Sequence, residues 1–261
     1  MKIPLKQPSY APHPSGHSHN DEMQSKPLTQ ALQDGFTSLE VDVHVIKGRL
    51  LCGHTAKDAD YKNLTLEAGY LAPLQQRVEQ WGSVYPQASQ VTLMLDFKGS
   101  AQVTYGALKP LLQKYASMLV QVHEGKEQDA PVKVVVTGNH PELESKSERS
   151  VFLDGSLKQA LDHPGELDPA LTPTVNGNYH LFFRWNGQGT MPAGERQKLE
   201  RMSQSVHEQG LQMRLWDAPD NARAWQTFVE AGVDRVNTDD LDGFAAWQSV
   251  HGPSTNHQQV V

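Results

Sequence analysis

The chain has 261 residues, enough for one large α/β domain or two small ones. At 38% hydrophobic and 20% charged residues its composition is globular, which excludes the disordered and coiled-coil classes. Lys and Arg number 23 against 30 Asp and Glu, a net charge of −7 with no basic cluster, so nucleic acid is excluded as a partner.

The first twelve residues read as an N-terminal extension, and "MKIPLKQPSYAPHP" lacks the apolar core of a signal peptide. As written this predicts a cytoplasmic chain; a signal peptide removed ahead of it would make the protein extracytoplasmic. No apolar run approaches the roughly 20 residues of a transmembrane helix. The single cysteine, Cys52, has no disulfide or thiolate partner and is expected to pack as a small apolar residue.

In chain order, "YAPHPSGH" offers a short, weak first strand, weak because proline cannot donate to a ladder. A helix is expected over 26–35, then the strand "TSLEVDVHV" (37–45) and the short apolar run "RLLCGHT" after the turn "KGR". A helix over 72–82 leads to the strand "VTLMLDF" (91–97), and one over 104–116 to "VKVVVTG" (132–138). "SVFLDG" (150–155), a helix over 156–161, "HLFFRW" (180–185), a helix over 194–210, "LQMRLWD" (211–217), a helix over 221–232 and "VDRVNTD" (233–239) follow. Several of these helices end in glycine, the usual residue just past a helix C-terminus. Strands alternating with helices predict a parallel sheet. Eight units in about 250 residues predict a single (β/α)8 TIM barrel over 13–250, with 251–261 a polar tail. A doubly wound open sheet is the alternative, but no Gly-rich nucleotide fingerprint follows the first strand.

Barrel active sites lie at the C-terminal ends of the strands. His17 and His19 close the first strand. Glu40, Asp42 and His44 alternate along the second and share a face. Asp96 and Lys98 close "LMLDFKG", His54 ends "RLLCGHT", and Trp216 and Asp217 close "MRLWD". Acids converging inside a barrel repel one another unless neutralised by a cation. Glu40, Asp42 and Asp96 supply only oxygen, which selects one hard divalent ion, Mg²⁺ or Ca²⁺. His19 and His54 lie close in sequence to these acids, and imidazole moves protons at neutral pH. His44 is read as a support for a ligand. Arg149 and Asp154 are read as a buried ion pair, with a substrate clamp as the alternative.

The run "HSHNDE…PLTQALQDGFTSLEVDVHVIKGRLLCGHT" resembles the opening of the glycerophosphodiester phosphodiesterase superfamily, which includes phosphatidylinositol-phospholipase-C-like enzymes. "HSHND", "SVFLDG", "LFFRW" and "MRLWDAPDNARAWQTFVEAGVDRVNTDDL" resemble the branch that contains the fungal altered-inheritance-of-mitochondria protein 6. The resemblance implies a metal-dependent phosphodiester hydrolase acting on a small-molecule or lipid phosphodiester, with His19 and His54 as the acid–base pair. It further implies Glu40 and Asp42 as metal ligands, and an attacking hydroxyl supplied by the substrate, which gives a cyclic phosphate first. Asp96-x-Lys98 is similar to the sphingomyelinase D relatives, where the acid is a ligand and the lysine contacts phosphate. Trp216 resembles an aromatic residue late in those barrels. Asn20 is expected to orient a phosphate oxygen or cap the loop. Thr55 departs from the Asp of the common phosphodiesterases, and Ser156 from the Arg of the closer branch. Two rivals are a zinc amidohydrolase opening on His17-x-His19, for which Asp239 or Asp240 at the last strand could supply the acid but which lacks later strand-end histidines, and a ligand-binding barrel without activity. Specificity is expected to lie in the loops 55–71, 124–131 and 162–180.

Overall fold

The computed structural model describes residues 8–87 and 89–252. The first seven residues of the expected extension, and all of the expected tail beyond Gly252, lie outside them.

The elements run β1 (Gly16–Ser18), α1 (Thr29–Gln33), β2 (Ser38–Ile46), β3 (Arg49–Cys52), α2 (Ala56–Lys62), α3 (Ala72–Trp81), β4 (Val91–Phe97), α4 (Ala101–Lys114), β5 (Gln121–His123) and β6 (Lys126–Gln128). They continue with β7 (Val132–Gly138), β8 (Phe152–Ser156), α5 (Leu157–Asp162), β9 (Thr174–Asn178), α6 (Ala193–His207), β10 (Gln212–Trp216), α7 (Ala222–Glu230), β11 (Arg235–Thr238) and α8 (Leu241–His251). Eight parallel strands, in the order β1-β11-β10-β9-β8-β7-β4-β2, close on themselves through β1–β2. β3 pairs antiparallel with the outer part of β2, and β5 and β6 form a separate hairpin. The expected TIM barrel is the fold.

The first strand is as short as expected: three residues pair with β11, and Ser18 alone pairs with Leu39 of β2. The sixth barrel strand differs from expectation. "TVNGN" forms β9, whereas "HLFFRW" begins in a 3-10 turn at Tyr179–Leu181 and runs on as a loop. Phe183 and Trp185 from that run are buried against Tyr179 and Phe228, so the apolar residues belong to the core without belonging to the sheet. Segment 124–131 joins α4 to β7 on the face opposite the strand C-termini, so it cannot form part of a substrate loop there. No described helix is long and apolar enough to cross a membrane.

Candidate active site

β2 and β3 are joined at Lys47 and Gly48, both at positive φ (51° and 76°), as a tight two-residue hairpin turn requires. The hairpin pairs Val43 with Cys52, and the Gly53 N–H donates to the Asp42 carbonyl (3.1 Å). His54 is thereby folded back onto its own strand, with Nδ1 3.1 Å from Asp42 Oδ2. Asp42 and Asp96 are register partners on β2 and β4. Lys98 Nζ bridges them, 3.2 Å from Asp42 Oδ2 and 2.5 Å from Asp96 Oδ2. Gly138, at the end of β7, keeps the space beside Asp96 open: a Cβ there would sit 2.2 Å from Asp96 Oδ1. Burial depresses an ammonium, but the contacts with Asp96 and Asp42 outweigh it and raise the Lys98 pKa. Burial prevails at Asp42, whose carboxyl is held above the usual range.

The second histidine comes from the barrel seam. β1 pairs with β11, and the His19 N–H continues that ladder to the Thr238 carbonyl (3.2 Å). His19 Nδ1 then lies 3.0 Å from Asp239 Oδ1, and Nε2 lies 3.8 Å from Glu40 Oε2. Burial disfavours the charged ring, but Asp239 and Glu40 overcome it and raise the His19 pKa. Asn20 follows at φ 44°, a left-handed position that asparagine tolerates. His17 is different: it is wholly buried, with Nδ1 2.7 Å from Ser38 Oγ. Burial and the Arg214 charge push its pKa down to about 3.

Glu40 does not face the other acids alone. Arg214 reaches across the barrel interior from β10, donating from Nη2 to Glu40 Oε2 and from Nε to Asn237 Oδ1 (2.8 Å). Burial alone would raise the Glu40 pKa, but the guanidinium and His17 hold it well below the carboxylate range.

His19, Asn20, Glu40, His54, Asp96 and Lys98 line one side of an open cavity of about 930 Å³. The other side carries Asp154, Asn176 and Trp216. There Thr137 Oγ1 donates to Asp154 Oδ2 (2.7 Å), Asn176 Nδ2 donates to the same oxygen, and Trp216 Nε1 donates to Asn176 Oδ1 (3.1 Å). The expected Arg149–Asp154 pair is not formed. Arg149 donates to the carbonyls of Ser145, Ser147 and Ala170, because it precedes β8 and Asp154 lies toward its far end.

The donor chemistry admits a cation. Of the three buried carboxylate oxygens without a hydrogen-bond partner among the described residues, two belong to this region, Asp42 Oδ1 and Glu22 Oε1. Among the described residues, Glu22, Asp42 and His54 offer ligand atoms that all lie within 4.8 Å of one another. The other two acids of the sequence-based set, Glu40 and Asp96, are paired with Arg214 and Lys98. Burial and the Asp42 charge push the Glu22 pKa up to about 8.

Comparison with known proteins follows the same lines. The AIM6-like phosphodiesterase domain matches residues 11–154, more than half of the chain. The chain belongs to that family. The glycerophosphoryl diester phosphodiesterase family matches residues 212–242, the segment that carries Arg214, Trp216 and Asp239. Altered inheritance of mitochondria protein 6 from Lachancea thermotolerans is 26% identical over 88% of this chain, which spans 64% of that protein. The Eremothecium gossypii protein of the same name is 27% identical over 87% of the chain and 67% of its own length. In fold, a glycerophosphodiester phosphodiesterase from Agrobacterium tumefaciens matches 91% of this chain and 100% of its own (TM-score 0.52, 14% identity). The phosphatidylinositol-specific phospholipase C from Listeria monocytogenes matches 94% and 96% (TM-score 0.53, 11% identity).

Within this AIM6-like domain the two departures have structural uses. Thr55 caps α2, accepting from the Asp58 N–H (3.1 Å), and Ser156 caps α5, accepting from the Gln159 N–H (3.4 Å). His44 is half-buried with Nε2 unpartnered. Of the two histidines that suggested a zinc hydrolase, only His19 lines the cavity. Sequence reasoning missed Arg214, since a single charge within a strand carries no spacing signal, and it weighed Asp239 only as a zinc ligand of the rival hydrolase and not as a partner of His19. It also missed Glu22, although the "HSHNDE" run contained it.

Proposed function

We propose that this AIM6-like domain hydrolyses a phosphodiester, of the glycerophosphodiester or phospholipid-headgroup type, with His19 and His54 as the proton-transfer pair. The observation that carries the reading is that each ring has Nδ1 against a carboxylate, Asp239 or Asp42, while both rings line one cavity with Lys98. A carboxylate at Nδ1 fixes the tautomer, leaving Nε2 as the nitrogen that exchanges protons. One histidine takes the proton from the attacking hydroxyl, and the other delivers one to the leaving oxygen. Lys98 offsets charge that builds on the phosphate oxygens, Asn20 orients one of them, and Trp216 packs against the alcohol portion of the substrate.

A divalent cation fits beside Asp42, which keeps an unpartnered oxygen, whereas Glu40 and Asp96, expected with it as an all-oxygen set for Mg²⁺ or Ca²⁺, are already neutralised by Arg214 and Lys98. Such an ion supplies positive charge to the phosphate. The Asp96-x-Lys98 pair supports a variant in which an internal hydroxyl of the substrate attacks first and gives a cyclic phosphate.

The test is ³¹P NMR of the protein with glycerophosphocholine, lysophosphatidylcholine, glycerophosphoinositol and sphingomyelin, with and without EDTA. A new resonance that is lost in both His19→Ala and His54→Ala, with the fold intact, supports the reading. Turnover retained in either variant removes that residue from the pair. No new resonance in any sample favours a ligand-binding barrel.

A further inference from the structure

We propose that Glu22, Asp42 and His54 form the divalent-cation site of this chain, with Glu22 as a ligand in place of Glu40. The inference deepens the phosphodiesterase reading and rests on it for the use of the ion in turnover; binding itself is measured without substrate.

The argument begins with what each carboxylate already touches. Glu40 is held by Arg214, and Asp96 by Lys98. Asp42 has one oxygen on Lys98 and His54, while Oδ1 has no partner. Glu22 accepts the Asp42 N–H at Oε2 (3.2 Å), and its Oε1 has no partner either. Glu22 and Asp42 are 1% and 0% exposed, so neither oxygen is compensated by water at the surface. An unpartnered buried carboxylate oxygen loses its hydration with nothing in return. A carboxylate oxygen from each residue lies within 4.8 Å of the other and of a His54 ring nitrogen, a spacing that a cation can bridge.

Glu22 is also held rigidly. The preceding residue, Asp21, accepts from Ser18 Oγ (2.8 Å), Tyr70 OH (2.8 Å) and the Leu28 N–H (2.5 Å), which pins the turn. Lys62 Nζ donates to the Glu22 carbonyl (2.9 Å) and to Met23 Sδ (3.2 Å), and not to the Glu22 carboxylate. His54, with its side chain 54% exposed, forms the solvent side of the site.

The donor set has a chemical consequence. Two carboxylates with one imidazole suit a borderline ion such as Mn²⁺ or Zn²⁺ better than the all-oxygen set suits it, and they suit Ca²⁺ less well. An ion on Nδ1 of a neutral His54 would displace its hydrogen bond to Asp42 and leave the ring proton on Nε2, so the ion-bound ring can give a proton but not take one up.

Mn²⁺ binding to the full chain, followed by EPR without substrate, tests the inference. The expected result is one bound Mn²⁺, displaced by Zn²⁺ at lower concentration than by Ca²⁺. Glu22→Gln and His54→Ala should each weaken it at least about tenfold, and Glu40→Gln should change it by less than about threefold. Gln preserves the shape of a protonated Glu, so a residue that only holds a proton tolerates that change. Circular dichroism confirms that each variant is folded, and His54→Ala, at a half-exposed side chain, keeps the test open should Glu22→Gln fail to fold. Absence of Mn²⁺ binding, wild-type affinity in Glu22→Gln, or a larger loss in Glu40→Gln would each overturn the site. Binding that depends on Glu22 with no ³¹P turnover would instead leave the site standing and remove the catalytic reading.

Discussion

Asp239 Oδ1 lies 3.0 Å from His19 Nδ1, although 220 positions separate the two residues in sequence. Closure of the barrel makes the contact, because β1 and β11 lie side by side and His19 extends their ladder by one more hydrogen bond. Burial opposes charge on the ring, while Asp239 and Glu40 favour it and raise the pKa. Asp239→Asn should therefore lower kcat by about 10- to 100-fold. The limb of the kcat/KM–pH profile set by His19 should move to lower pH, since burial then meets less opposition. A profile that keeps its position would show that Asp239 does not act on His19.

Arg214 and Glu40 form a buried ion pair that crosses the barrel interior. Removing one partner from such a pair leaves the other charge unpaired, at a cost of about 3–5 kcal/mol. Arg214→Met should lose about that much stability in urea denaturation, more than a surface substitution of similar size. Adding Glu40→Gln to Arg214→Met should restore part of the loss. A double variant no more stable than the single one would place the cost in packing against Met94 and Asn237, not in the stranded carboxylate.

Trp216 is 39% exposed at the cavity and donates to Asn176. Trp216→Ala should raise KM by about threefold to tenfold with little change in kcat, because it removes a contact surface and no proton-transfer group. Equal losses in kcat and kcat/KM would instead assign Trp216 to the transition state.

The parts of this fold that could be read from sequence are those whose side chains report their surroundings. β2, β4 and β7 are apolar runs buried on both faces, and the alternation of Glu40 and Asp42 by itself assigns both to one face of β2. β9 could not be read that way. "TVNGN" contains two asparagines and a glycine, residues that strands disfavour, and it is a strand because β8 and β10 pair with it. Its neighbour "HLFFRW" carries the apolar signal without the ladder. Long-range partners were equally hidden. Arg214 reads as any strand arginine until β10 stands three strands from β2, and Asp239 reads as a strand-end acid whose contact with His19 appears only when the barrel closes. Segment 124–131 was misplaced because it joins a helix to a strand and none of it lines the cavity, whereas Leu167 and Thr172 of the 162–180 segment do.

Asp154 provides the remaining test, through pH and stability. Burial pushes its pKa up to about 6, against the lowering effect of Thr137. The folded protein therefore holds a proton on Asp154 across the window from about 4, where the unfolded chain releases it, to about 6. In that window the native state binds more protons than the unfolded one, so this residue makes stability fall as pH rises, and its contribution levels off above pH 6. The size follows from the shift, about 1–3 kcal/mol. Asp154→Asn mimics the protonated acid, and its side-chain oxygen still accepts from Thr137 and Asn176. The variant should match wild type near pH 4 and exceed it in stability by about 1–3 kcal/mol at pH 7 and above. Urea midpoints for both proteins between pH 4 and 8 measure the difference. Curves that stay parallel across the range would mean that Asp154 titrates in the folded protein as it does in the unfolded chain.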